Sequence, residues 1–249
     1  MGHGVPHHSI LQKRIIDPQA APVVAQLSGP AIPGEALSVA EIILWCNRTK
    51  AFPSFPQWSP EARADRRLRG LEFTQLSPAA VLIAVCPVSS DLILTRRPLH
   101  LKDHPGQISF PGGRMEPSDA SLIETACREA EEEIGLKRHW ITPLLTLPQY
   151  ITVTGFQVTP VLGVLSPGYG LSPHPDEVDE IVRVPLGFLM DPRNHQLRQV
   201  TIESELIEFF AMPYQSHFIW GATAAMIRNL YHFFVAAWNQ SLSPPSDHS

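Results

Sequence analysis

The segment from Gly112 to Leu136 constrains the fold more than any other part of the chain. It begins with a glycine pair, Gly112-Gly113, and leads into a helical pattern from Ser118 to Ile134 that Gly135 ends. On a helix with about 100° per residue the apolar residues form one stripe, made of Ile123, Cys127, Ala130 and Ile134. The sequence therefore predicts a helix that packs one face on a core and follows a sharp glycine turn.

The same helix carries five glutamates within ten residues. Glu129, Glu132 and Glu133 share a face roughly 100° wide, and the other two point away from it. Like charges at this spacing destabilise a helix in water, and Arg128 offsets part of the charge through Glu132 at i+4. A divalent ion would offset more, and oxygen ligands select Mg²⁺ or Mn²⁺. A solvated helix face is the alternative, but the glycine pair nearby favours an ion site because it lets a ligand approach the backbone.

Strand patterns surround this helix. Ala79–Val85, predicted to be buried on both faces, and Asp91–Thr95 read as two strands joined by a turn. Further strand-like stretches are Leu144–Leu147, Thr159–Leu165, Val182–Val184 and Glu203–Phe210, and residues 221–238 form an apolar helix. Because strands and helices do not alternate strictly, the pattern predicts an α+β fold with a mixed β-sheet.

Proline usage suggests how the chain is divided. The 25 prolines are about 10% of the residues, against roughly 5% in ordinary proteins. Residues 1–70 are predicted to be a Pro-rich N-terminal extension with short helices near 38–47 and 59–68, the first opened by a capping box at Ser38 and Glu41. Residues 71–240 are predicted to form the main domain, and 241–249 a disordered tail.

Charge and composition exclude several partner classes. The net charge of −5 argues against a nucleic-acid-binding surface. The longest apolar run, residues 79–87, is too short to span a membrane, and the N-terminus lacks an export signal. The three cysteines are far apart and have no CxxC spacing, which predicts buried thiols in the cytoplasm. The apolar C-terminal helix covers either the core or a partner, so a homodimer stays open as an alternative.

The sequence from Arg128 to Leu136 resembles the second half of the Nudix box, whose general form is G-x5-E-x7-R-E-U-x-E-E-x-G-U with U aliphatic. Every fixed position of this half is matched, with Ala130 at the first U. The first half departs, because Ala120 stands where glutamate is usual and Asp119 lies beside it. The resemblance implies a Nudix-type α/β/α sandwich and metal-dependent hydrolysis of a diphosphate.

A second motif narrows the resemblance. Leu94–Pro98, Lys102, His104–Gln107 and Phe110–Gly113 resemble the signature that precedes the box in coenzyme A diphosphatases. Pro98 and Lys102 depart from it, since the signature usually has Ser or Ala and Arg there. The resemblance implies cleavage of coenzyme A, or of its thioesters, to 3′,5′-ADP and phosphopantetheine or its acyl form.

The resemblance also implies roles for individual residues. Expected metal ligands are Glu129, Glu132, Glu133 and the Gly112 carbonyl. Expected catalytic residues are Arg128, Glu129 and Glu132, together with Glu177 or Glu180 as a remote base or an extra ligand. Expected substrate-binding residues are Arg96, Arg97, Lys102, His104, Gly106 and Gln107.

Two alternatives to a coenzyme A diphosphatase stay open from the sequence. One is a Nudix hydrolase for another nucleoside diphosphate derivative, such as ADP-ribose or a dinucleotide. The other is a nucleotide-binding Nudix module without turnover. The intact second half of the box argues against the module, because a degenerate domain would be expected to lose a glutamate.

Overall fold

The computed structural model describes residues 17–48, 76–101, 104–152, 154–202 and 205–242. The second predicted short helix (59–68) and Lys102 lie outside these residues. The helices are α1 (Val39–Arg48), α2 (Leu122–Ile134), α3 (Leu186–Leu189) and α4 (Gly221–Leu242). The strands are β1 (Val23–Gln26), β2 (Ser77–Val85), β3 (Asp91–Arg96), β4 (Ile108–Ser109), β5 (Gly112–Arg114), β6 (Ile141–Thr146), β7 (Tyr150–Ile151), β8 (Phe156–Leu165), β9 (Glu180–Pro185), β10 (Gln196–Ile202), β11 (Glu205–Tyr214) and β12 (His217–Trp220).

A mixed sheet forms the middle layer. Its strand order is β4-β3-β2-β8-β6, with β5 also on β2, β7 on β8 and β9 on β3. The β2–β8 pair is parallel and runs from Ser77 opposite Phe156 to Val85 opposite Val164, whereas the other pairs are antiparallel. The predicted α+β class with a mixed sheet is therefore confirmed.

Strand β2 is buried on both faces, as predicted, and separates two cores. Leu82 and Ala84 point to the core under α2. Ile83 and Val85 point to the core shared with α1 and α4. Because side chains alternate along a strand, this arrangement places helices on both sides of the sheet and confirms the α/β/α sandwich.

Helix α2 begins later than the sequence pattern predicted, at Leu122 rather than Ser118. Residues 116–119 form a turn in which the Asp119 amide donates to the Glu116 carbonyl and the Asp119 carboxylate accepts from the Glu116 amide. Ser121 then caps the helix by accepting from the Glu124 amide. The end is as predicted, since Gly135 adopts the left-handed conformation with φ 66°.

A second, antiparallel sheet with the order β1-β10-β11-β12 was largely missed by the sequence analysis, which predicted only a strand near β11. Its edge strand β1 comes from the N-terminal segment, whose helix α1 begins one residue after Ser38, as the capping box predicts. Trp45 of α1 packs against Phe234 of α4 with ring centroids 5.5 Å apart. The described part of this segment is therefore packed into the core of the domain.

The cysteine side chains and the apolar helices have well-defined surroundings in the structure. Cys86 and Cys127 are buried free thiols, and Cys46 is a partly buried one, whose pKa burial raises to about 12. Among the described residues, no helix combines the length and apolar character needed to cross a bilayer. Most of α4 is buried against the chain's own core, including Phe233 and Phe234.

The side chain of His195 is fully buried and has two polar partners. Its Nε2 lies 2.8 Å from the Leu189 carbonyl oxygen, and its Nδ1 lies 3.1 Å from the Arg228 guanidinium. A neutral ring satisfies both, donating to Leu189 and accepting from Arg228. Burial lowers the pKa of His195 to about 4, and the positive charges of Arg228 and His232 act in the same direction.

We expect this histidine to make the fold sensitive to acid. In the unfolded chain His195 takes up a proton below about pH 6.5, whereas in the fold it stays neutral to about pH 4. Its contribution to stability is therefore complete above pH 6.5 and is lost as the pH falls from there toward 4. Between pH 7 and 4.5 the free energy of unfolding should fall by about 2 kcal/mol more in the wild type than in His195→Gln. The glutamine keeps one donor and one acceptor without titrating. Urea unfolding at several pH values measures this difference, and parallel pH profiles would contradict it.

Candidate active site

The glycine pair of β5 is required by two close contacts. A Cβ on Gly112 would lie 2.3 Å from the Ala80 carbonyl oxygen of the neighbouring strand β2. A Cβ on Gly113 would lie 2.5 Å from the carboxylate carbon of Glu129. Only glycine fits at position 112, where the contact is with backbone, whereas a Cβ at position 113 would displace the Glu129 carboxylate from its present place. The backbone of β5 therefore lies directly against the carboxylate face of α2.

Arg128 connects the acidic groups around α2. Its Nε and Nη2 each bind one Asp119 carboxylate oxygen at 3.0 Å, a two-point contact that charge strengthens. Its Nη1 donates to Glu129 and to Glu132, both at 2.9 Å. Its Nη2 also donates to the Arg114 carbonyl at 3.0 Å, which ties α2 to β5. One guanidinium thus fixes the positions of three carboxylates and a backbone segment.

Asp119 was not among the predicted site residues, although the sequence analysis noted it beside Ala120. Its side chain is only 5% exposed, and it accepts hydrogen bonds from the Thr125 hydroxyl and the Glu116 amide as well as from Arg128. The Arg128 hydrogen bond is the largest of the effects that hold the pKa of this carboxyl well below its usual range. Asp119 is therefore an ionised, fully bonded anchor for Arg128.

Glu133 is buried without a complete set of partners. Its side chain accepts from the Gly112 amide, but its Oε2 has no hydrogen-bond partner in the part of the chain that the structure describes. Burial, followed by the negative charges of Glu129 and Glu177, raises the pKa of Glu133 to about 8, against the opposing effect of Arg97. A buried carboxyl oxygen with no partner is costly, so this atom has the character of a cation ligand.

Glu129 and Glu132 differ in their surroundings. Glu129 is 16% exposed, and burial raises its pKa while the Arg128 hydrogen bond lowers it. Glu132 is 54% exposed and is bound to Arg128. The three predicted glutamates therefore do lie along one face of α2, from the buried Glu133 to the exposed Glu132.

These residues fit a hard divalent cation in chemistry and charge. The donors are carboxylate oxygens, one of them unpartnered in the protein interior. No three acidic, histidine or cysteine side chains in the described ranges are close enough together to enclose an ion as they stand. In this arrangement Arg128 binds both Glu129 and Glu132.

The two candidate bases, Glu177 in the loop before β9 and Glu180 at the start of β9, have different surroundings. The backbone of this loop is docked on the end of α2, where the His174 amide donates to the Glu133 carbonyl at 2.8 Å. Glu177 follows, close enough to Glu129 and Glu133 for its charge to raise the pKa of both. Glu180 instead binds Arg96 at 3.0 Å. Of the two candidates, Glu177 is therefore the one whose charge acts on the glutamates of α2.

His217, which is not among the residues predicted from the sequence, also belongs to these surroundings. Its Nε2 lies 3.2 Å from Glu180 Oε1, the carboxylate oxygen that Arg96 does not bind. Because β12 brings it from the second sheet, no local sequence signal could have connected it with the acidic helix.

Of the predicted substrate-binding residues that the structure describes, Arg96 ends β3, and Arg97, His104, Gly106 and Gln107 lie between β3 and β4. Arg97 pairs through its backbone with Gln107 and Gly106, which closes this loop at its base. His104 and Gly106 have left-handed backbones, with φ 54° and 71°. The charge of Arg97 acts on Glu133, so this arginine lies beside the acidic site. Arg96, in contrast, has its guanidinium bound to Asp179 and Glu180.

Comparison with known proteins identifies the family. A model of the NUDIX domain matches residues 76–203. The chain is 38% identical over 157 residues to an uncharacterized Nudix hydrolase, NudL, from Pectobacterium atrosepticum, covering 63% of this chain and 82% of that protein. It is 36% identical over 153 residues to NudL from Escherichia coli SMS-3-5, covering 61% and 80%. A crystal structure of a Nudix hydrolase from M. smegmatis, RenU, aligns with a TM-score of 0.43 and 16% identity, covering 64% of this chain and 87% of that one. From the domain match and the NudL relatives, the chain belongs to the Nudix hydrolases, enzymes that act on pyrophosphate bonds.

Proposed function

We propose that this Nudix hydrolase cleaves the pyrophosphate bond of coenzyme A or its thioesters. Water adds to one phosphorus, the bridging P–O bond breaks, and the products are 3′,5′-ADP and phosphopantetheine or its acyl form. The single observation that carries the hydrolytic site is the buried, unpartnered Glu133 Oε2 beside Glu129. The choice of coenzyme A rests on the motif from Leu94 to Gly113 and its resemblance to coenzyme A diphosphatases.

We propose that Mg²⁺ or Mn²⁺ is held by Glu129, Glu132 and Glu133, with the Gly112 carbonyl as a further ligand. When bound, such an ion neutralises charge on the substrate diphosphate and makes a water molecule more acidic. Glu133 supports this assignment because its free oxygen is enclosed by protein and has no other cation within hydrogen-bond reach. Ion binding requires Glu129 and Glu132 to turn from Arg128 toward Glu133.

The remaining chemistry falls to groups around that site. Before an ion binds, Arg128, anchored by Asp119, holds the Glu129 carboxylate against Gly113. Glu177 accepts the proton of the attacking water at its carboxylate, since Glu180 has both oxygens bound by other side chains. Proton transfer to a positioned group contributes roughly 100- to 10,000-fold to such reactions.

The substrate's phosphates require positive charge on the same side of the sheet. Arg97 supplies it beside Glu133, and a guanidinium matches phosphate oxygens in two-point geometry. His104, Gly106 and Gln107 continue the same loop and are proposed as further contacts, with Lys102. A nucleotide with an additional 3′-phosphate suits this concentration of cationic groups.

Glu133→Gln should abolish metal-dependent release of 3′,5′-ADP from coenzyme A. The amide keeps the size of the side chain but removes the anionic ligand, and we expect a loss of more than about 100-fold. Glu131→Gln is the matched control on the same helix, because Glu131 binds Lys137 at 2.8 Å on the outer face. Chromatographic detection of 3′,5′-ADP measures both variants. Full activity of Glu133→Gln would contradict the proposed site.

Coenzyme A should be turned over faster than other diphosphates. A panel of coenzyme A, ADP-ribose, NADH and diadenosine compounds, with products identified by mass spectrometry, makes this comparison. Faster hydrolysis of ADP-ribose or a dinucleotide would contradict the substrate assignment and favour the broader Nudix alternative. Tight binding of a nucleotide with no turnover of any compound would favour a binding module.

A further inference from the structure

The side chain of Arg96 binds Asp179, which precedes β9, and Glu180, which begins it. Its Nε and Nη2 donate to Asp179 Oδ2 at 2.9 and 2.7 Å, and its Nη1 lies 3.0 Å from Glu180 Oε2. Its backbone carbonyl accepts from the Asp179 amide at 2.9 Å. Arg96 and Glu180 are also directly opposite each other in the β3–β9 pair. Arg96 therefore holds the chain immediately after Glu177 through main-chain and side-chain contacts.

The other end of the same segment is fixed on α2. The His174 amide donates to the Glu133 carbonyl, and the amides of Glu177 and Val178 donate back to the His174 carbonyl at 3.0 and 2.8 Å. Val178 is buried in the core under α2. Glu177 thus lies in a short turn anchored to α2 on one side and to Arg96 on the other.

The carboxylate of Glu180 is held at both oxygens. Arg96 binds Oε2, and His217 Nε2 lies 3.2 Å from Oε1. The His217 side chain is only 10% exposed, so this contact attaches Glu180 to the second sheet. Because His217 also holds Glu180, the contact of Arg96 with Glu180 restrains the position of the turn.

We propose that Arg96 is a positioning residue that sets Glu177 opposite Glu133 by binding Asp179 and Glu180. This inference rests on the proposed function in one respect, the role of Glu177 as the base. The side chains of Arg96, Asp179 and Glu180 are 37–44% exposed, and ion pairs of this kind contribute little to stability. The effect of Arg96 therefore falls on the geometry of the turn rather than on the stability of the fold.

This role differs from the one the sequence suggested, in which Arg96 binds substrate phosphate. A phosphate ligand acts on substrate affinity, so its loss raises KM. A residue that acts through the base lowers kcat and leaves KM nearly unchanged. The two roles therefore predict different kinetic parameters for the same substitution.

A double-mutant cycle of Arg96→Gln and Glu177→Gln tests the proposal on whichever diphosphate the wild type hydrolyses. Arg96→Gln should lower kcat about 10- to 100-fold with KM within about twofold, because a base displaced by about 1 Å loses this much. In the Glu177→Gln background the same change should cost less than about twofold. Arg193→Gln removes an Arg–Asp pair of the same kind away from the site and should leave kcat unchanged.

Hydrogen exchange provides a readout that needs no substrate. In Arg96→Gln the amides of residues 177–179 should exchange at least about tenfold faster, while the amides of α2 keep their protection. Unchanged exchange of these amides, additive losses in the cycle, or a raised KM with unchanged kcat would each overturn the role of Arg96. If the wild type hydrolyses no diphosphate, the proposed function fails, and the exchange measurement still decides whether Arg96 holds the turn.

Discussion

Uncompensated negative charge on α2 is the constraint on which the rest of the site depends. Glu129, Glu132 and Glu133 lie along one face, and Glu177 approaches the same face from the loop before β9. Arg128 binds two of these carboxylates, Glu129 and Glu132, but its two-point contact is with Asp119. Glu133, the most buried of them, has one oxygen without a hydrogen-bond partner among the described residues. The divalent cation that we propose would compensate this charge, and the substrate diphosphate would bring further negative charge to the same point.

The fold keeps these charges close together through short contacts. Gly112 and Gly113 allow β5 to lie against β2 and against Glu129, since a side chain at 112 would collide with the β2 backbone and one at 113 would displace the Glu129 carboxylate. The parallel β2–β8 pair and the two cores hold α2 on one face of the sheet and α4 on the other. The site is therefore built on a helix and a central strand, while loops from β3 and before β9 bring Arg97 and Glu177 to it. A scaffold of this kind suits chemistry that requires fixed geometry.

Local sequence signals predicted the elements that carry the chemistry. Because helix and strand periods are local, the sequence predicted the apolar stripe and the glutamate face of α2, the buried strand β2 and the glycine turn. The start of α2 was misjudged because Asp119 bonds Arg128 rather than opening the helix. Pairings between distant segments left no local signal. The bonds of Arg96 to Asp179 and Glu180, the approach of His217, and the sheet formed by β1 with β10 depend on the folded chain.

Thermal unfolding with and without Mn²⁺ tests most directly whether Glu133 completes a site for a divalent cation. A ligand that binds only the folded state stabilises it by about 2.7 kcal/mol at a concentration 100 times its Kd. We predict that Mn²⁺ raises the unfolding temperature of the wild type and of Glu131→Gln, but not that of Glu133→Gln. An unfolding temperature of the wild type that does not respond to Mn²⁺, or an equal rise in Glu133→Gln, would contradict such a site.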